Sequence, residues 1–122
     1  MDETLKDLAD TLREGQMKSG QGSYERRAPS KQAMPFLRDA RRGLRTYVLE
    51  HPDCIDGWRF LAQAEESLLD YRNARVAIEK VLAISGNRDQ KDLKKSALLR
   101  EYESKWGEER ELVKWNQKDL ER

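Results

Sequence analysis

Apolar residues recur every three or four positions along most of this chain, and that spacing predicts amphipathic helices rather than strands. Leu5, Leu8, Ala9 and Leu12 form one stripe, predicting a helix over residues 2–14 with Gly15 placed as its C-terminal cap. From Gly15 to Ser23 the chain carries three glycines and two serines and almost nothing apolar, the composition of a flexible linker. Pro35 can open a second helix at its first turn, where the missing N–H costs nothing, with Leu37, Ala40, Leu44, Tyr47 and Val48 as its apolar face and His51-Pro52 as its end.

Asp53 is a natural N-cap for a third helix, with Asp56 in its first turn and Trp58, Leu61, Ala62, Glu65 and Leu68 continuing it to a turn near Asp70. A fourth helix carries Ala74, Ala77, Ile78, Val81 and Leu82 and stops in Ser85-Gly86-Asn87. A fifth is expected from about Asp89 to Trp106, burying Leu93, Ala97, Tyr102 and Trp106 before Gly107 interrupts it.

The chain also resembles itself. At an offset of 34 residues Tyr24 falls on Trp58, Ala28 on Ala62, Leu37 on Tyr71, Ala40 on Ala74, Leu44 on Ile78 and Val48 on Leu82, with Pro52 on Gly86 where both units stop. The repeating unit is therefore a pair of helices. Its clearest copy, residues 55–88, reads Trp58-x-x-Leu61-Ala62, then Asp70-Tyr71 in the turn, then Ala74-x-x-x-Ile78-x-x-Val81. In this pattern the chain resembles the tetratricopeptide repeat family. Glu65 stands where that family usually has an aromatic residue, Leu69 where it has glycine, and Gly86 where it has proline. Small residues at Ala62 and Ala74 let two antiparallel helices approach closely.

The resemblance implies an all-α fold: antiparallel helix pairs stacked as a short right-handed superhelix with a C-terminal capping helix. The expected organisation is an N-terminal helix and linker over 1–23, a repeat domain over 24–106 and a charged tail over 107–122. Within the domain, 24–54 is a degenerate repeat whose first helix is interrupted by Arg27 and Pro29. Residues 55–88 are the best repeat, and 89–106 the cap, where Asp92 and Lys95 replace the expected tryptophan and leucine.

Partners of this family usually lie in the concave groove lined by the first helix of each pair. Carried over by repeat position, that points to Asp56, Arg59, Gln63 and Glu66. Arg59 and Gln63 share a face at i and i+4 and resemble part of a clamp for a partner's carboxylate. The function implied is non-enzymatic: a module that holds a peptide or helix of another protein, of unknown identity. Trp115, with Leu112 at helical spacing in the tail, is a further candidate anchor.

Charge adds a second candidate surface. The net charge is only +1, yet Tyr24–Arg45 carries seven basic residues against Glu25 and Asp39, while Glu50–Asp70 carries six acids against Arg59. Arg38, Arg41, Arg42 and Arg45 form a basic stripe that could meet phosphates, the basis of an alternative reading as a nucleic-acid-associated regulatory protein. The plainer outcome is pairing with Asp39, Glu50 or the acidic helix beyond. No aromatic side chains are interleaved to stack bases, which makes nucleic acid the lesser partner. A homodimerising structural subunit is a third alternative, since one good repeat is near the lower limit for a stable stack.

Chemistry enters mainly by exclusion. His51 is the single histidine and Cys54 the single cysteine, too few for a tetrahedral metal site or an intrachain disulfide. No nucleophile and base arrangement or phosphate-binding loop is present, so no cofactor, metal or catalytic residue is expected. The absence of a long apolar run argues against a signal peptide or membrane span, and a reducing cytoplasm is the expected setting.

Overall fold

The computed structural model describes residues 2–19 and 29–106, and these form five helices and no strand: α1 (Glu3–Ser19), α2 (Met34–Glu50), α3 (Ile55–Ser67), α4 (Tyr71–Ser85) and α5 (Gln90–Trp106). Each helix packs on the next in chain order, and α1 also lies against α3, an arrangement consistent with a helical repeat. None of these helices is long and apolar enough to cross a membrane.

Local chemistry accounts for most of the helix ends. The Asp2 carboxylate accepts from the Leu5 amide at 2.8 Å and opens α1. Pro35 lies in the first turn of α2, whose entry is tied down by the Ser30 hydroxyl: it accepts from the Ala33 amide at 3.1 Å and donates to the Lys18 carbonyl at 3.3 Å. Asp70 caps α4 through the Asn73 amide at 3.1 Å. Gly86 closes α4 in the left-handed region at φ 73°, and the following Asn87 amide donates to the Leu82 carbonyl at 2.8 Å.

Leu69, between α3 and α4, has φ 61°. The left-handed backbone is required there because the Asp70 amide turns back to the Glu65 carbonyl at 2.9 Å, closing α3 before α4 begins. A leucine in that conformation costs about 1–2 kcal/mol, offset here by nearly complete burial of its side chain.

Three expectations are corrected. Gly15 does not end α1, which continues to Ser19. Instead it is a contact point: a Cβ there would lie 2.7 Å from Leu37 Cδ2 and 3.2 Å from the Leu37 amide nitrogen, so glycine lets α2 cross at close range. The N-cap of α3 is Cys54, whose Sγ accepts from the Gly57 amide at 3.4 Å, and not Asp53, which is exposed. In α5, Ala97 is exposed and Leu93 half-buried, whereas Asp92, Ser96 and Leu99 are the buried residues. The buried face of α5 is turned relative to the expected one because charged contacts, described below, set its orientation.

The first helix paired with α2 is α1. Leu5 and Leu12 join the core made by Leu37, Ala40, Leu44, Tyr47 and Val48 of α2 and Leu61, Ala62, Ala74, Ala77, Ile78 and Val81 of α3 and α4. Residues 24–28, the first part of the degenerate repeat, lie outside the described residues.

Two glycine positions give a graded test of the α1–α2 crossing. Gly43 also faces α1, but its added Cβ would meet only the tip of the half-buried Leu8 side chain, at 2.3 Å. Alanine improves helix propensity by about 1 kcal/mol over glycine. Gly15→Ala should nevertheless destabilise by roughly 1–2 kcal/mol, because the new methyl meets both the side chain and the backbone nitrogen of Leu37. Gly43→Ala should be near neutral, because Leu8 can turn away. Thermal unfolding followed by circular dichroism orders the two, and a Gly15→Ala midpoint at or above wild type contradicts the close-approach explanation.

Candidate functional site

The four residues expected to line a groove all lie on α3, but they are not equivalent. Asp56 and Gln63 are exposed. Arg59 is already engaged: its Nε donates to Asp92 Oδ1 at 3.3 Å, and its Nη2 donates to Asp92 Oδ2 at 2.7 Å and to Asp89 Oδ2 at 3.2 Å. The guanidinium fork therefore grips one carboxylate with two nitrogens and touches a second, and the hydrogen bond it donates to Asp92 raises its already high pKa. Glu66, two turns further along α3, is paired with Lys95 of α5. Arg59 therefore binds carboxylates of the chain itself, Asp92 of α5 and Asp89 just before it, and Gln63 takes no part in this contact. Asp92 and Lys95, the two residues that break the repeat pattern at the start of α5, are the ones that make these pairs.

The basic stripe on α2 is also partly committed. Arg45 donates through Nε at 2.7 Å and Nη2 at 2.6 Å to one oxygen of Glu65, and Arg42 lies 3.9 Å from Asp39. Arg38 is buried, and Arg41 is half-buried. Burial lowers the pKa of Arg41, opposed by the attraction of Glu65. The four arginines therefore do not present one uniform cationic surface, and pairing with Asp39 and with the acidic helix beyond is what two of them do.

Glu65 is the group whose importance the sequence did not announce. It is 1% exposed, and its second oxygen, Oε2, has no hydrogen-bond partner. Burial carries its carboxyl up to about 7 despite the opposing pull of the Arg45 guanidinium, with Asp70 pushing the same way as burial and Arg41 against it. The available signal was an acid in place of an aromatic residue within an apolar stripe.

Tyr47 and Asp2 form another pair that sequence reasoning missed. The Tyr47 hydroxyl donates to the Asp2 carboxylate, joining the start of α1 to the end of α2. This contact lowers the Asp2 pKa and raises that of the phenol. His51 stacks on the Tyr47 ring with centroids 4.4 Å apart, while Cys54 caps α3, so both have structural work. Among the described residues no group of three or more histidine, cysteine, aspartate or glutamate side chains could hold a metal ion. Trp115 lies outside the described residues. No protein-family model, curated protein or solved structure matches the chain.

The position of Glu65 has a signed consequence for pH. A carboxyl raised from its ordinary 4.5 to about 7 binds its proton more tightly in the folded than in the unfolded chain. Its ionisation therefore costs stability as pH rises from 4.5 to 7, with the cost fully present above 7. The shift corresponds to on the order of 3 kcal/mol. Asp2 and Glu103 have lowered pKa values, so their effects fall at more acidic pH and do not mask this window. Urea unfolding at pH 5 and pH 8 should show wild type more stable at pH 5. Glu65→Gln should remove most of the difference by stabilising the chain at pH 8. A variant that is less stable than wild type at pH 8 would mean that the Arg45 pair outweighs burial.

Proposed function

We propose that the chain is a tetratricopeptide-type helical repeat, a right-handed stack ending in α5, that acts without catalysis by holding a segment of another protein along α1 and α3. The observation that carries this reading is the side-by-side placement of the first helices of two successive pairs. Gln16 Nε2 of α1 donates to Ser67 Oγ of α3 at 3.4 Å, joining their C-terminal ends. Lys6, Asp10 and Arg13 on α1 are exposed at i, i+4 and i+7, and Asp56 and Gln63 are exposed on α3. Polar side chains of both signs on two adjacent rigid helices suit a segment that offers backbone and charged groups.

The nucleic-acid alternative draws less support, because Arg45 and Arg42 already face carboxylates. The expected cytoplasmic setting accords with Cys54 serving as a helix cap and staying a free thiol.

Affinity capture from cytosol, followed by measured binding of each captured protein, tests the groove. Asp56→Lys with Gln63→Ala should weaken the partner by about tenfold or more, whereas Arg41→Glu with Arg42→Glu should leave it bound. Binding that survives the first pair and collapses with the second, in RNA-dependent fashion, would replace the groove with the basic stripe. Sedimentation at several concentrations separates a homodimer from a monomeric adaptor.

A further inference from the structure

The α5 helix is attached by different forces from the other four. Its one fully buried apolar side chain is Leu99, supported by the half-buried Tyr102, whose ring meets that of Tyr71 edge-on at 5.3 Å, and Trp106. Beside these, Ser96 is buried and Leu93 half-buried, and several charged contacts join α5 to its neighbours. Asp89 and Asp92 meet Arg59, and Lys95 meets Glu66, both on α3. On α4, Arg75 binds Glu103 at 2.5 Å and Glu79 accepts from Arg100 at 2.8 Å. The α2–α3 contact, in comparison, rests on Leu44, Tyr47, Val48 and Leu61 with Arg45–Glu65 as its ion pair.

We propose that α5 is the resident occupant of a docking surface on α3 and α4, and that a partner helix of the same charge pattern replaces it there. The partner's chemistry follows from the resident: two carboxylates three residues apart for Arg59, a cation three residues later for Glu66, and an apolar residue four beyond for the Leu99 position. This deepens the groove reading and rests on it, since Arg59 and Glu66 belong to the same α3 whose exposed Asp56 and Gln63 line the groove.

Exchange is feasible because partly exposed ion pairs contribute little individually and are screened by salt, so a helix with one fully buried apolar side chain opens at lower cost than the helices that build the core. It is selective because Arg59 is left without a counter-ion unless the newcomer supplies one. A helix without the acidic pair forfeits the two-nitrogen contact with Arg59 and binds less well. A newcomer also recovers the apolar contact with Tyr71 that α5 gives up.

The probe is a fluorescein-labelled peptide of residues 88–106, and the receptor is the full chain, read by anisotropy. Asp89→Asn with Asp92→Asn in the chain loosens the resident helix. The labelled peptide should then bind at least about tenfold more tightly than to wild type, and adding Arg59→Gln should abolish the gain. A peptide carrying the same two asparagines should bind neither chain. Lys95→Ala, which frees Glu66 without touching the buried Asp92, serves as a second loosened receptor with the same expectation. Equal affinity for wild-type and loosened chains, persistence after Arg59→Gln, or no binding to any of them overturns the proposal. A wild-type dimer that the peptide dissociates in sedimentation also overturns it, by assigning the surface to a second copy. Failure of the peptide while Asp56→Lys with Gln63→Ala still releases a captured partner leaves the groove reading standing. The reverse result removes the groove and keeps the α5 surface.

Discussion

Close approach between helices is the constraint on which the rest of this structure depends. At Gly15 against Leu37 and at Gly57 against Tyr47, an added methyl would intrude on the neighbouring helix. Buried Ala40, Ala62, Ala64, Ala74 and Ala77 extend the same economy of side-chain volume through α2, α3 and α4. Small residues at the crossings bring larger ones beside them into contact, so Leu37, Leu44, Tyr71 and Val81 fill the space between helices with almost no exposure. Because the helices sit this near, polar side chains at their edges reach across as well, as Arg45 does to Glu65 and Arg75 to Glu103.

Those charge contacts divide the molecule into two regimes. The helices share one apolar core, to which α5 gives Leu99 alone as a fully buried side chain, and ion pairing at the α2–α3 junction is subordinate to it. Glu65 shows the subordination: burial in that junction works against its charge even with Arg45 bound to it. At α5 the balance reverses, and ion pairs set the helix's orientation, burying Asp92 while leaving Ala97 exposed. Apolar contact is insensitive to direction and salt, whereas a guanidinium fork demands a carboxylate in one geometry. The first regime suits a scaffold and the second suits recognition.

The functional reading gains from this division. Arg59 has the geometry of a carboxylate clamp because it is observed closing on two carboxylates, and the remaining exposed groups on α1 and α3 lie beside it on the same stack. The α2 arginines, by comparison, are distributed between a buried partner, a neighbour on their own helix and a half-buried site, which leaves fewer of them for an outside ligand.

What was readable from the residues alone is whatever depends on near neighbours in the chain. Helical periodicity placed all five helices, the Gly86 end followed from capping chemistry, and a turn was expected near Asp70, where Leu69 adopts a left-handed backbone. What only the tertiary structure decided involves residues far apart. Gly15 reads as a helix stop until Leu37 is seen against it. Arg59 reads as a free clamp until Asp92, thirty-three residues later, is found in it. Glu65 reads as one acid among many until burial sets it apart. Local sequence encodes backbone preference and the phase of an apolar stripe, but which side chains meet across a crossing depends on helix rotation and separation. Those are set by the packing of the whole chain, and so the all-helical class was visible in advance while the state of the candidate site was not.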